Sequence, residues 1–298
     1  MKALLRFVRN VAEDRNLPAP DLVRFHAGSI AHVYINSNGE KVLVLGGLAL
    51  RCLSQEALAG IVAHELGHFA AGDTELSRRR YGRRLLMRLL ESNLVLLIKP
   101  KSPYFSAQTA FLISPMFWIM LNVLNPLPWV IVGYHRLFEL LYAAHSRKQE
   151  FAADKFSAEQ CGKEAAAETL IFMDVIGQVP SVTISGIADL YLATNTPLNR
   201  IFSEVAASAG RIHPKEWEKA RRKALSAQTR WFDSHPCLRE RLAALDVDWK
   251  KANKCKPNQP TPPASELIDD WDTLESRLTG HNGDFPRTVS IEPRHAAD

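Results

Sequence analysis

The chain has 298 residues and a mass of 33.4 kDa, with 46% hydrophobic side chains and a net charge of +5. That apolar content excludes a disordered chain, and 15 Gly with 17 Pro exclude a collagen-like or low-complexity one. The mild positive balance falls short of a dedicated nucleic-acid binder. Four scattered cysteines, Cys52, Cys161, Cys237 and Cys255, form no C-x-x-C pair, which argues against a disulfide scaffold or a cysteine zinc site and suits a reducing compartment.

Leu4, Leu5, Val8 and Val11 recur at helical spacing, so residues 1–16 predict a short amphipathic helix. Arg6, Arg9, Glu13 and Asp14 interrupt any signal-peptide apolar core, and a cytoplasmic active face is the expectation. In residues 31–45, two β-rich runs flank Ser37-Asn38-Gly39, and Asn-Gly favours a tight hairpin turn. A helix follows, with Ser54 as N-cap, Glu56 in its first turn and Gly72 as its stop. Its middle, ALAGIVAHELGHFAA, is nearly uncharged, as a buried helix is.

The composition then shifts twice. Residues 78–88 carry Arg78, Arg79, Arg80, Arg83, Arg84 and Arg88, and residues 102–135 carry no Asp, Glu, Lys or Arg. Residues 111–132 are long enough to cross a bilayer, but Pro115, Asn122, Asn125, Pro126 and Pro128 weaken a simple span. A buried helical hairpin turning at Asn125-Pro126-Leu127-Pro128 is the competing reading. Residues 146–176 return to a helical pattern, and 181–250 hold further helices, with a charged one near 214–230. Residues 251–298 are polar and Pro-rich and read as a flexible tail, with a short helix near 267–278 and scope to cover a cleft. The expected organisation is one domain over 1–250, an apolar membrane-associating insertion at about 102–145, and the tail.

His64-Glu65-Leu66-Gly67-His68 is H-E-x-x-H. Residues four apart on a helix share a face, so both imidazoles can bind one metal ion. Glu65 then stands beside the ion, where it can take a proton from the attacking water. A surface helix with two unrelated histidines is the bland alternative. The apolar neighbours argue against it, because burying two His and a Glu without a partner is costly. A zinc peptidase needs a third protein ligand. Thr74 stands where the short metzincin spacing would put a histidine, so the ligand comes from farther away. The best candidate is Glu150, with Asp154 on the same helix face to accept the N–H of a ligand histidine. A solvated charged helix start is the competing reading of that pair.

HELGH followed by SRKQEFAAD resembles the HtpX-like and CAAX-prenyl-protease family of zinc metallopeptidases, of gluzincin type. Two further stretches match: VLVLGGLALRCLSQEALAGIVAHELGH looks like the family's strand-to-helix entry, and Asp233-Ser234-His235-Pro236 continues into CLRERLAAL. The resemblance covers roughly residues 20–250. It implies one zinc per chain held by His64, His68 and Glu150, with Glu65 as catalytic base. It suggests His235 near the cleft, stabilising the oxyanion, and Arg241 as a structural partner. It also raises prenylated peptides as a substrate class. The integral members of the family carry transmembrane helices before the motif and this chain has none there, so a multi-span chamber is not expected.

The expected fold is α+β, mainly α, zincin-like, with a small β-hairpin or sheet beside the H-E-x-x-H helix. The expected function is a zinc endopeptidase acting on membrane-associated or unfolded polypeptide, which the edge of the 31–45 hairpin would receive as an added strand. His64, His68 and Glu150 must meet, so the chain between them crosses a membrane an even number of times, zero included. The pairs are 85–98 with 104–124, or 104–124 with 127–144. The arginine cluster beside the apolar run suits an anionic inner-membrane surface, and association through 78–145 is the expectation. The alternative function is a catalytically silent chaperone or adaptor retaining the fold. A nucleic-acid partner is not expected, since no aromatic platform accompanies the arginines.

Overall fold

The computed structural model describes residues 1–27, 31–71, 126–176, 178–179, 200–209, 211–248, 262–279 and 288–291. Helix α1 (Lys2–Asp14) buries Leu4, Leu5, Val8, Val11 and Ala12, the stripe its period predicts. Strands β1 (Leu22–His26), β2 (His32–Ile35), β3 (Lys41–Gly46) and β4 (Thr288–Ile291) form one mixed sheet in the order β2-β3-β1-β4. β1 runs parallel to β3, with Leu22 opposite Val42 and His26 opposite Gly46. β2 and β4 are antiparallel to their neighbours.

The β2–β3 hairpin turns where the Asn-Gly pair predicts. Gly39 takes φ 83°, a conformation that side chains disfavour. The Asn36 Oδ1 accepts from the backbone N–H of Asn38 and of Glu40, both at 2.9 Å, which locks the turn. One sheet face enters the main core through Val23, Phe25, Leu43 and Leu45. The other carries the small cluster Leu22, Val42 and Val44, with Tyr34 against it.

β3 passes directly into α2 (Gly47–Cys52) and then α3 (Gln55–Ala70). The Ser54 side chain accepts from Ala57 N at 3.0 Å, the N-cap its sequence position predicts. α3 packs against α1 and against β2 and β3, so the motif helix lies beside the sheet. The remaining helices are α4 (Pro126–Cys161), α5 (Lys163–Ile176), α6 (Ile201–Ala209), α7 (Pro214–Ser226), α8 (Leu238–Ala244) and α9 (Trp271–Thr279), with a 3-10 turn at Ala264–Leu267. The chain is therefore α+β and mainly α, with its small sheet beside α3, as the sequence implies.

Two compact units are present. The first comprises Met1–Thr74, Arg147–Arg230 and His235–Asp298, and the second Glu75–Ser146 with Trp231–Ser234. The arginine cluster at 78–88, the spans at 85–98 and 104–124 and the uncharged run up to residue 125 lie outside the described residues. Among the described residues, no helix is long and apolar enough to cross a membrane. Within the second unit, Val130, Tyr134, Leu137 and Leu141 recur at helical spacing on α4 and are exposed, as are Trp231 and Phe232.

In the segment read as a flexible tail, residues 264–279 form the 3-10 turn and α9, and 288–291 form β4. Ala264, Ile268, Leu274 and Leu278 are buried in the main core. The short helix read near 267–278 is α9, and its burial is what a flexible tail would lack.

Candidate metal centre

The site lies wholly in the first unit. α3 is anchored by Leu58, Val62, Ala63 and Leu66, all fully buried. Leu66, within the motif, thus points into the core. Gly67 faces α4: a Cβ there would meet Phe156 Cδ2 at 2.8 Å and the backbone of Ala153 at 3.5 Å. Only a glycine lets the two helices approach this closely without movement. With α3 held so, His64 and His68 stand side by side, ring centroids 5.0 Å apart and nearly perpendicular.

α4 supplies the carboxylates. Glu150 is four residues before Asp154, both are buried, and both face α3. His64 Nε2 lies 3.7 Å from Glu150 Oε2, and His68 Nε2 lies 3.7 Å from Glu150 Oε1. One ligand atom from each of His64, His68 and Glu150 lies within 4.8 Å of the others. Tetrahedral zinc with ligands about 2 Å away holds them about 3.3 Å apart, and two nitrogens with one carboxylate oxygen suit it. The residues present fit such an ion. The solvated-helix reading of Glu150 and Asp154 is excluded by their burial.

Behind the ligands runs a connected polar chain. His64 Nδ1 donates to Asp154 Oδ1 at 3.1 Å, which directs its Nε2 toward Glu150. Arg241, from α8, donates to Asp154 through Nε at 2.8 Å and Nη2 at 2.5 Å. Its Nη2 also lies 3.6 Å from Glu150. Burial pushes the Asp154 carboxyl up, but the hydrogen bonds from Arg241 and His64 outweigh it and bring it down to about 2. Glu150 behaves alike: burial raises it, while the His235 hydrogen bond and the fields of His64 and Arg241 bring it to about 2.

Glu65, buried beside the two imidazoles, goes the other way. Burial raises its carboxyl above the usual range, and the neighbouring histidines only partly offset that. A carboxyl so placed holds a proton more readily than an exposed one.

His235 joins the site from the loop between α7 and α8. Its Nδ1 donates to Glu150 Oε1 at 2.7 Å, while the side chain stays 69% exposed. Thr229 braces that loop: its Oγ1 accepts from Cys237 N and donates to Glu240, both at 2.8 Å. The structure thus brings together Glu65, His64, His68, Glu150, Asp154, His235 and Arg241. Sequence reasoning did not single out Thr229, nor Asp174 at the solvent edge of α5, whose charge acts on Arg241. Neither has a spacing signal, since each acts across elements distant in sequence.

A model of peptidase family M48 matches residues 2–248. The chain is also 26% identical over 192 residues to Protease HtpX of Pasteurella multocida (strain Pm70). That alignment covers 61% of this chain and 63% of the relative, so the chain spans less than two thirds of the relative's length.

Proposed function

The chain belongs to peptidase family M48, and from that premise we propose that it is a zinc-dependent endopeptidase hydrolysing bonds of unfolded or membrane-associated polypeptides. The observation that carries the reading is the convergence of His64, His68 and Glu150 on one point, with Glu65 buried next to it. One zinc ion bound by these three residues supplies Lewis acidity for the scissile carbonyl and the attacking water. Glu65 takes the water proton and returns it to the leaving amine. His235, its Nδ1 engaged by Glu150, donates from Nε2 to the developing oxyanion, and Asp154 with Arg241 keeps His64 in its ligating orientation.

An extended substrate adds a strand to β2. β2 is an edge of the sheet and packs against α3, whereas β3 is interior. The exposed apolar stripe Val130, Tyr134, Leu137 and Leu141 supports association of the second unit with a bilayer surface. Flotation with anionic vesicles tests this, and a chain that stays at the bottom of the gradient removes it.

The central test is cleavage of an unfolded protein such as casein by the zinc-loaded chain and by Glu65→Gln. Cleavage by the first alone supports metal-assisted hydrolysis with Glu65 as base. Equal cleavage by both sinks that role. Zinc binding without cleavage by either favours the chaperone or adaptor.

A further inference from the structure

The family match ends at residue 248, yet the chain returns to the same body beyond it. Gln55 N, one of the first donors of α3 with no acceptor in its own helix, donates to Pro262 O at 3.0 Å. Two positions on, Ala264 N donates to Leu53 O at 2.8 Å, and Ser54 and Pro263 form a β-bridge between these bonds. The segment therefore clasps the N-cap of the motif helix from both sides. Arg51 Nη1 donates to the buried Ser265 Oγ at 3.1 Å, and its guanidinium lies 5.9 Å from the centre of the Trp271 ring. The ammonium of Met1 pairs with Asp269.

A second anchor lies one helix on. Glu275 of α9 is fully buried. Its Oε1 accepts from Ser203 N at 2.7 Å, and its Oε2 from Ser203 Oγ at 2.6 Å and Trp271 Nε1 at 2.8 Å. Ser203 is the third residue of α6, so Glu275 caps the positive end of that helix from another element. Finally, β4 lies antiparallel along β1, pairing Val23 with Ile291 and His26 with Thr288.

We infer that residues 262–279 and 288–291 form a C-terminal strap outside the family core, docked on a surface made by α1, α2, α6 and the β1 edge, and that its attachment caps both the metal-ligand helix α3 and α6. The occupant of that surface is the chain's own C-terminal segment. The apolar anchors Ala264, Ile268, Leu274 and Leu278, with the acceptors offered to Gln55 N of α3 and Ser203 N of α6, give the strap a specific seat. The covalent link through 249–261 is then dispensable once the strap is seated.

The test inserts a specific protease site between Lys254 and Pro260 of the full chain, cuts it under native conditions and follows both pieces by size exclusion. The strap is expected to co-elute with the body, and the amides of Gln55 and Ser203 to remain protected from hydrogen exchange. Glu275→Gln, which keeps the side-chain shape, is expected to raise exchange at Ser203 at least tenfold and to lower the melting temperature by roughly 5 °C or more. Separate elution of the fragment overturns the seating of the strap, and unchanged Ser203 exchange and melting temperature in Glu275→Gln overturn the capping. Zinc binding by the uncut chain is measured in parallel. Its absence would count against the metal centre and leave the strap result standing.

Discussion

Arg241 and Asp154 meet through a two-point contact, Nε to Oδ2 at 2.8 Å and Nη2 to Oδ1 at 2.5 Å, while the same carboxylate takes the Nδ1–H of His64. Three helices distant in sequence are thereby tied at one carboxylate, which is 1% exposed.

Removing the arginine strands that carboxylate. Arg241→Met is expected to cost about 3 kcal/mol of stability, as breaking a buried pair does. Zinc affinity is expected to fall roughly 10- to 100-fold through loss of the His64 orientation. Arg241→Lys restores charge without the planar fork and should recover only part of either. Denaturant titration and zinc competition read both, and wild-type values in the Met variant would refute the coupling.

The acid limb of stability follows from the same group. The Asp154 carboxyl is lowered from 3.8 to about 2 in the folded chain. Its contribution is therefore complete above the unfolded value and lost as pH falls through the folded one. In the metal-free chain, on the order of 2 kcal/mol should disappear between about pH 4 and pH 2. Asp154→Asn should flatten that slope. Urea midpoints measured against pH would show an unchanged slope if the carboxylate were idle.

Gly67→Ala places a methyl 2.8 Å from the Phe156 ring. The helices must part or the ring must turn, at a cost of roughly 1–3 kcal/mol. Phe156→Leu in the same chain should relieve much of it, giving a favourable coupling in a double-mutant cycle. Additive losses would mean that Gly67 matters for some other reason.

Metal should stabilise the fold by mass action. At a hundredfold excess over its Kd, zinc is expected to add about 2.7 kcal/mol and to raise the melting temperature by several degrees. Chelator should reverse the shift, and His68→Ala should abolish it. A shift that survives His68→Ala would place the ion elsewhere.

The motif helix was legible because its information is local: His64 and His68 are one helical turn apart, and Ser54 caps where an N-cap belongs. Glu150 and Asp154 were legible as a pair for the same reason, and the resemblance joined them to the histidines. β1 was not, because its partner β3 comes twenty residues later and no turn residue announces a parallel pairing. Of the strap, only the short helix near 267–278 was legible, and its docking was not. Glu275 has its meaning only against Ser203, far away in sequence. Gly67 was visible as a letter of the motif, while its contact with Phe156 is a property of packing.

The two halves of the metal centre, His68 on α3 and Glu150 on α4, are separated by roughly 80 residues. Closing a loop of that length costs about 4 kcal/mol of chain entropy, and doubling it adds only about 0.6 kcal/mol. The intervening stretch can therefore lengthen, shorten or change character during evolution with little penalty to the centre. An ion joining its ends would act as a reversible cross-link between α3 and α4. The contacts of Arg241 and His64 with Asp154 already close that loop, so limiting metal would leave a folded chain with a looser centre and not an open one.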